Sequence, residues 1–429
     1  MIWLYRILFV PALILAAPYY GLRMIRRGGY AKDFNHRWGG QKDLPAPAQD
    51  RRRIWIQAVS VGEIEAIGPL VERISQNPNL ELVITTTTST GYAILRQKYA
   101  PKCLYVGIFP IDFWLFSRRA WNKLKPNLCV LMEGELWPEH LHQAAERKVP
   151  VMLINARMSD KSFARYLKFG FLARRLLEKF SRIAVSSEFD MARFLELGAP
   201  RTSAFCSGNL KFDSSPSSTM GDAEKSALRK ELGFAENSLV LLGSSTWPGE
   251  EEMLVEAMLK LRADGIDCRL LLVPRHAERR EKIIPAIDKL PHCIRSRSNQ
   301  ASEGTLAYLA DTTGELRMFT QIADIAFVGK SLPPNSGGQT PIDCAALGTP
   351  IIYGPNMTNF RRACETLERE NAAVKVPDAA SAQAEIRRLA RNPQLRQTLA
   401  ANAKNWHASN IGATKRTYDA MLEVLGLDA

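Results

Sequence analysis

Apolar runs alternate with segments of helical length along most of the chain. Between residues 51 and 206, six runs are apolar throughout and rich in β-branched residues: RIWIQAVS, LELVITTTT, CLYVGIFP, LCVLME, VPVMLINAR and RIAVSS. The pattern resumes after residue 226 with SLVLLGSST, CRLLLVPRH, TLAYLADT, IADIAFVGKS, GTPIIYGP and AAVKV. Strands separated by helices predict parallel βαβ units, and uninterrupted apolar runs are typical of strands covered on both faces. The sequence therefore predicts an α/β protein with two doubly wound, Rossmann-like domains.

A break in this pattern separates the two domains. Residues 211–226, KFDSSPSSTMGDAEKS, combine Ser, Pro, Gly and charge without periodicity, which is typical of a linker. We therefore expect a first domain over residues 28–210 and a second over residues 227–410. The Ala-rich tail, residues 378–427, predicts closing helices, and residues 411–429 form the last of them.

The N-terminal segment, residues 1–27, has a different pattern. Residues 2–25 are nearly all apolar, interrupted by Arg6, Pro11 and Pro18, and three arginines lie among residues 23–27. A cleaved signal peptide, a single span and an interfacial helix all fit such a segment, but no small-residue cleavage site precedes the basic cluster. The stretch is short for a span, and two prolines interrupt it. It predicts a membrane anchor, spanning or monotopic, with its basic side in the cytoplasm.

Composition adds constraints on partners. The 429 residues are 46% hydrophobic, enough for two cores, and the formal net charge is +13. This charge favours an acidic partner such as nucleic acid, anionic lipid or a phosphorylated substrate. No basic stripe interleaved with aromatic residues is apparent, so we expect no nucleic acid. The seven cysteines include no Cys-x-x-Cys pair, which predicts reduced thiols and no zinc site.

Open α/β sheets bind ligands outside the carboxyl ends of their strands, in loops such as the one that ends at Glu63. Ser60-Val61-Gly62-Glu63 follows the first predicted strand and fits a capping box, in which the serine and the glutamate cap one helix start. The alternative is a general base that deprotonates a sugar hydroxyl. Both interpretations place Glu63 at a helix start, facing the cleft expected between the domains.

Two further acidic residues, Glu133 and Glu135, follow another predicted strand in LMEGELWPEH. Arg157 follows the next strand along the chain and is an available ion-pair partner. One of the two glutamates could orient the acceptor or a neighbouring catalytic group.

In the second domain, the candidates are suited to phosphate. Gly337 lies in a Gly-rich loop before a predicted helix, where backbone amides can bind an anion. Arg275 directly follows a strand and could grip a phosphate, although a salt bridge to Glu278 is an alternative. The chain has no Asp-x-Asp motif, so the metal–diphosphate clamp of many nucleotide-sugar enzymes is missing.

Taken in order, these motifs resemble those of the 3-deoxy-D-manno-octulosonic acid (Kdo) transferases of lipopolysaccharide biosynthesis. The resemblance runs from the N-terminal anchor to the last helix. The matching stretches are AVSVGE (58–63), MEGELWP (132–138), NARMSDKS (155–162), SGNLKFD (207–213), PRHAER (274–279), GEL (314–316), ADIAFVGKS (323–331), AALGTPIIYGP (345–355) and NFR (359–361). It implies a membrane-anchored glycosyltransferase of GT-B architecture.

The resemblance also implies a reaction. Kdo would pass from CMP-Kdo to a lipid A precursor, lipid IVA, with inversion and without a metal or cofactor, on the cytoplasmic side of the inner membrane beside anionic lipid. Glu63 would be the catalytic base, and Lys211 or Arg157 would meet the Kdo carboxylate. The resemblance assigns CMP binding to Pro274, Arg275, Gly314, Glu315, Leu316, Thr340, Pro341, Ile342 and Asp343.

This chain departs from the family's motif in the nucleotide segment. The family usually has a glutamate for the ribose where this chain has Asp343, and Thr340 replaces an amide side chain. Trp247 and Pro248 stand where a histidine and a small residue are common. These differences leave two alternatives open, a GT-B transferase with another nucleotide sugar and a non-catalytic lipid-binding scaffold.

Overall fold

The computed structural model describes residues 2–28, 32–214, 219–298 and 300–428. The chain forms two compact units, residues 1–214 with 410–429 and residues 215–409. Each unit has one parallel seven-stranded sheet between helices, which confirms the predicted α/β class.

The first unit contains all six strands predicted for it and one more. Its sheet has the order β3-β2-β1-β4-β5-β6-β7. The strands are β1 (Arg52–Gln57), β2 (Leu80–Thr86), β3 (Tyr105–Ile108), β4 (Leu128–Met132), β5 (Val151–Ala156), β6 (Arg182–Val185) and β7 (Ala204–Cys206). The helices are α1 (Ile2–Arg27), α2 (Val61–Ala66), α3 (Gly68–Ser75), α4 (Ser89–Ile94), α5 (Trp114–Leu124), α6 (Pro138–Glu146), α7 (Asp160–Lys168), α8 (Gly170–Leu177), α9 (Glu188–Glu196) and α10 (Leu210–Asp213).

The second unit also has an open parallel sheet, with the order β10-β11-β9-β8-β12-β13-β14, and differs from the first in that its fourth strand, β11, lies between β10 and β9. Its strands are β8 (Leu239–Thr246), β9 (Cys268–Pro274), β10 (His292–Ile294), β11 (Ala307–Leu309), β12 (Ile325–Val328), β13 (Ile351–Tyr353) and β14 (Ala373–Lys375). Its helices are α11 (Asp222–Glu231), α12 (Glu250–Ala263), α13 (Arg280–Ile287), α14 (Leu316–Thr320), α15 (Ile342–Leu347), α16 (Arg361–Arg369), α17 (Ala379–Arg391) and α18 (Pro393–Asn410).

The last helix, α19 (Ala413–Leu425), returns to the first unit. Its residues Met421 and Leu422 are buried in the core on one face of the first sheet, and the Tyr418 hydroxyl accepts a hydrogen bond from Asn77 at 2.9 Å. The segment predicted as a linker, residues 211–226, is partly helical, because α10 ends and α11 begins within it. Its residues 215–218 lie outside the described residues.

Burial explains why the strands lack polar alternation. Ile54 and Ile56 of β1 pack into one core, while Trp55 between them packs into the core on the opposite face. All three side chains are fully buried. A parallel sheet covered by helices on both faces requires this pattern.

Candidate active site

The central strands of the first sheet carry the acidic candidates at their carboxyl ends. In this strand order, the connections after β1 and β4 lead to opposite faces, so a crevice opens between the loops that follow them. The loop after β1 leads to Glu63, and the loop after β4 contains Glu133 and Glu135. The topology therefore brings both acidic motifs to one place in the first unit.

Ser60 caps α2 as the sequence predicts, but the Glu63 carboxylate returns its backbone bond to the N–H of Val59 rather than to that of Ser60. The Glu63 N–H donates to the Ser60 hydroxyl oxygen at 3.4 Å, and its carboxylate accepts from the Val59 N–H at 2.9 Å and from the Ser60 hydroxyl at 2.8 Å. The side chain is buried at the start of α2. Because each carboxylate oxygen has two lone pairs, these bonds leave acceptor capacity for a further partner.

The surroundings of Glu63 contain more charge than a helix cap requires. Burial raises the pKa of Glu63, and the nearby carboxylate of Glu133 raises it further, against the opposing effect of its hydrogen bonds and of Arg157. Burial also raises the pKa of Glu135 to about 7, with added repulsion from Glu63 and Glu133. Grouped carboxylates with raised pKa values are typical of acid–base sites.

Two basic residues complete this cluster. The Arg157 Nη2 atom lies 2.6 Å from Glu133 Oε1, so the ion pair suggested by the sequence is formed. Burial lowers the pKa of Lys211, as does the charge of Arg157, while Glu133 and Glu63 oppose the shift. The structure thus brings together all five candidates of the first unit, and we call Glu63, Glu133, Glu135, Arg157 and Lys211 the charged cluster.

The backbone under the charged cluster is strained at two strand ends. Glu133 has φ 55° and Asn155 has φ 49°, in the left-handed region that side chains other than glycine rarely adopt. The fully buried Asn155 side chain accepts a hydrogen bond from the Leu210 N–H at 3.1 Å, which fixes α10 and Lys211. This positioning role of Asn155 was not predicted, although the residue opens the stretch NARMSDKS (155–162) that resembles the family.

The second unit has its own pair of central loops, after β8 and β12, and one buried carboxylate joins them. Glu250 accepts from the Trp247 N–H at 2.9 Å and from the N–H groups of Lys330, Ser331 and Leu332 at 2.8, 2.9 and 3.2 Å. The residue is 1% exposed. The sequence does not distinguish Glu250 from its neighbours, because an acidic first turn in a helix has an ordinary electrostatic explanation.

Aromatic and basic groups lie on the two loops that the Glu250 carboxylate connects. The Lys330 amine is 4.5 Å from the Trp247 ring centre, and His276 meets the same ring edge-on at 5.4 Å. Gly337 has φ 106°, and a Cβ atom there would lie 2.8 Å from the Asn359 amide nitrogen and 3.7 Å from the Lys330 amine. A side chain at Gly337 would therefore fill the space in front of these two donors.

The strand-end residues assigned to CMP have the following positions. Pro274 is buried at the end of β9, and Arg275 follows it with an exposed side chain and an N–H that donates to the Thr246 carbonyl at 3.3 Å. Glu278, the alternative partner suggested for Arg275, instead pairs with His276 at 3.3 Å.

The remaining CMP candidates lie at the starts of two short helices. Gly314 has φ 95°, and Leu316 begins α14 directly after Glu315. Burial acts to raise the pKa of Glu315, but Thr312 and Arg295, whose Nη2 donates at 2.8 Å, hold it below its ordinary value.

In the segment before α15, the Thr340 hydroxyl accepts from the Ile342 N–H at 3.2 Å. Pro341 caps α15 without a side-chain bond, and Asp343 in its first turn lies 3.2 Å from the Arg317 Nε atom. The carboxylate predicted to bind ribose is therefore paired with an arginine.

The raised pKa of Glu135 predicts a pH-dependent stability. A folded-state pKa of about 7, against an ordinary value of 4.5, means that the folded chain holds this proton more tightly than the unfolded chain. The associated stability is present at low pH and is lost as pH rises through about 7. Glu135→Gln should therefore raise the melting temperature at pH 8, by a gain on the order of 1–3 kcal/mol, and have little effect at pH 5. Exposed Glu196→Gln is the control, and a shift equal at both pH values would contradict the prediction.

Comparison with known proteins identifies the family. Residues 32–214 match the family model described as 3-deoxy-D-manno-octulosonic-acid transferase. The 3-deoxy-D-manno-octulosonic acid transferase of Bordetella pertussis is 32% identical over 414 residues, covering 94% of this chain and 95% of the relative. That of Rickettsia felis is 33% identical over 342 residues, covering 79% of this chain and 72% of the relative.

Solved structures give the fold. The UDP-GlcNAc 2-epimerase from Neisseria meningitidis, bound to UDP-GlcNAc, has a TM-score of 0.59 with 13% identity, covering 86% of this chain and all of that chain. At this identity, the similarity supports the predicted GT-B-like fold of two Rossmann-like domains, and says nothing of the substrate. The sequence matches identify the chain as a glycosyltransferase that belongs to the Kdo transferase family.

Proposed function

We propose that this chain transfers Kdo from CMP-Kdo to lipid IVA, a lipid A precursor, during lipopolysaccharide biosynthesis. The observation that carries the proposal is the partly buried charged cluster beyond the carboxyl ends of the central strands of the first sheet, in a member of the Kdo transferase family. A helix cap alone would not require three carboxylates with a paired arginine.

In the proposed reaction, Glu63 removes the proton of an acceptor hydroxyl. The acceptor oxygen attacks the anomeric carbon of Kdo, the bond from that carbon to the phosphate oxygen breaks, and its electron pair leaves with CMP. Attack opposite the leaving group inverts the anomeric configuration. The raised pKa of Glu63 makes its carboxylate a stronger base than an exposed glutamate. Arg157 or Lys211 binds the Kdo carboxylate.

The second unit binds CMP in this proposal. Arg275 grips the phosphate with its exposed guanidinium, residues 314–316 and 340–342 line the nucleotide, and Asp343 accepts from a ribose hydroxyl. The leaving group, CMP, carries a single phosphate. The negative charge that develops on this phosphate is stabilised by Arg275 and backbone amides near Gly337, without a metal ion. Among the residues described, no group of three or more His, Cys, Asp or Glu is placed to hold a metal.

Exposed apolar groups of the first unit support the proposed acceptor and location. α1 is long and apolar enough to cross a membrane, and none of the residues in this stretch is fully buried. Phe169 and Phe171, beyond β5, are also exposed and have Lys168 and Arg175 as neighbours in sequence. Apolar and basic groups together suit a phosphorylated lipid and an anionic inner-membrane surface on the cytoplasmic side.

A transfer assay tests this function. Purified full-length chain with CMP-Kdo generated in place, lipid IVA and a metal chelator should give a Kdo-lipid product detectable by mass spectrometry. Arg275→Ala should raise the apparent KM for CMP-Kdo about 10- to 100-fold through loss of a charge-assisted contact, and Arg275→Lys should raise it less.

The other outcomes identify the alternatives. Product formed only with a different nucleotide sugar would make the chain a transferase with another donor, as the altered residues Thr340 and Asp343 would suggest. CMP binding without product from any donor would leave a lipid-binding scaffold.

A further inference from the structure

The first turns of α1 carry polar side chains that bind the first unit. Arg6 donates from Nε and Nη2 to the two carboxylate oxygens of Glu139 at 2.9 and 2.8 Å. The Glu139 side chain is fully buried. Next to this pair, the Tyr5 hydroxyl donates to the Asp112 carboxylate at 2.7 Å. The arginine within the apolar part of α1 therefore has its partner in the folded part of the first unit.

Aromatic packing continues the contact. Phe9 stacks on Phe113 with ring centres 5.8 Å apart, and Phe113 contacts Phe116 at 5.5 Å. Phe116 in turn meets Trp38 edge-on at 4.9 Å. These rings join α1 to the start of α5 and to the segment that leads into the first sheet.

The contact extends along the length of α1. Residues 2, 5, 6, 9, 13, 16, 21 and 24 are partly buried, and at 3.6 residues per turn these positions all fall on one side of the helix. At its far end, the carbonyl of Gly28 accepts a hydrogen bond from Ser89 at 3.1 Å. A helix of 26 residues is about 39 Å long. The contacts of Arg6 and Gly28 therefore attach both ends of this length to the same unit.

These contacts share one edge of the sheet. Ser89 follows β2, Asp112 follows β3 and Glu139 follows β4, each beyond the carboxyl end of its strand. The same edge carries Glu63 and Glu133. α1 therefore lies across the end of the first sheet that holds the charged cluster.

The opposite face of α1 is strongly apolar and exposed. Leu15 is 82% exposed, and Leu4, Ile7, Ile14, Leu22 and Ile25 are also exposed. A continuous apolar face of this size is typical of a membrane-binding surface. The segment also ends in a sequence rich in arginine, a composition that favours anionic lipid.

We propose that α1 is a monotopic anchor, which lies in one leaflet of an anionic phospholipid bilayer on the same side as the first unit and does not cross the membrane. A helix that crossed the bilayer would carry Tyr5 and Arg6 to the far side, away from Asp112 and Glu139. Glu139 would then stay buried without its cation, which is strongly unfavourable. The interfacial position keeps the ion pair and brings the sheet edge with Glu63 to the lipid surface.

Protease accessibility of a terminal tag tests the proposal. The full chain with an N-terminal epitope tag is expressed in a Gram-negative host, and a version with a C-terminal tag marks the side of the folded units. Protease added to spheroplasts should leave both tags intact, and protease added to inside-out vesicles should remove both. Cleavage of only the N-terminal tag in spheroplasts would show a spanning helix and overturn the proposal.

A matched pair of variants tests whether the exposed face binds the membrane. The triple change Leu4→Ser, Ile7→Ser and Leu15→Ser should move most of the protein from the membrane fraction to the soluble fraction. The control Leu104→Ser, Leu259→Ser and Ile411→Ser, also at exposed apolar positions, should leave it membrane-bound. Retention of the α1 variant on membranes would contradict an anchor in this face. Neither experiment depends on sugar transfer, so this inference and the proposed function fail independently.

Discussion

Glu63→Gln is expected to lower kcat for Kdo transfer by about 10²- to 10⁴-fold, the usual contribution of a general base, and to leave the fold intact. Glutamine serves as well as glutamate in a capping box, so it keeps an oxygen that can accept from the Val59 N–H. It cannot take a proton from the acceptor. Initial rates at saturating donor and acceptor, together with the melting temperature, measure the two effects separately.

Ser60→Ala is the matched control for this experiment. It removes the hydroxyl that bonds Glu63 but keeps the carboxylate, so it should cost about 1 kcal/mol of stability and retain most of the activity. If Glu63→Gln turned over at the wild-type rate while Ser60→Ala lost activity, the residue would be a helix cap only. The charged cluster would then need another base, and Glu135 would be the first to examine.

The pattern of apolar runs predicted most of the fold because a parallel sheet covered on both faces imposes one composition on every central strand. All twelve predicted strands are present. The two strands that were missed, β7 and β10, are three-residue edge strands, and all of their side chains except that of Ile294 are partly exposed. Short edge strands pair on one side only, so they lack the apolar run that identifies an inner strand. The return of α19 to the first unit was also not predictable, because it depends on contacts distant in sequence.

The candidate site likewise combines residues that a local sequence pattern identifies with residues whose roles depend on contacts distant in sequence. Glu63 and the pair of Glu133 with Arg157 were accessible from sequence, because they directly follow strands whose carboxyl ends meet at one edge. The roles of Asn155 and Glu250 are to accept N–H groups from distant loops, at separations of 55 and 80 residues. Arg6 and Glu139 are 133 residues apart. Such contacts leave no periodic signal in the sequence and become visible only in the folded chain.

Glu250→Ala is expected to be the most destabilising substitution considered, since it removes one acceptor from four N–H groups of two loops. An unsatisfied buried donor costs about 1–3 kcal/mol, and water can replace part of the lost bonding, so we expect a total loss of about 3 kcal/mol or more. Hydrogen exchange of the Lys330, Ser331 and Leu332 amides should accelerate strongly, because these groups donate to Glu250. Denaturant unfolding of the full chain gives the accompanying change in stability.

Glu252→Ala provides the control, because it removes an exposed carboxylate from the same first turn of α12. It should change stability by no more than about 0.5 kcal/mol and leave exchange at residues 330–332 unchanged. If both variants behaved alike, the four N–H groups would not depend on the buried carboxylate, and Glu250 would only complement the helix dipole.

If only Glu250→Ala loosens the loops, the Trp247 and Lys330 side chains should separate as well, because the backbone groups that hold them in contact bond to Glu250. The CMP binding proposed for the second unit would then be lost along with stability, which a substitution at an ordinary helix start would not cause.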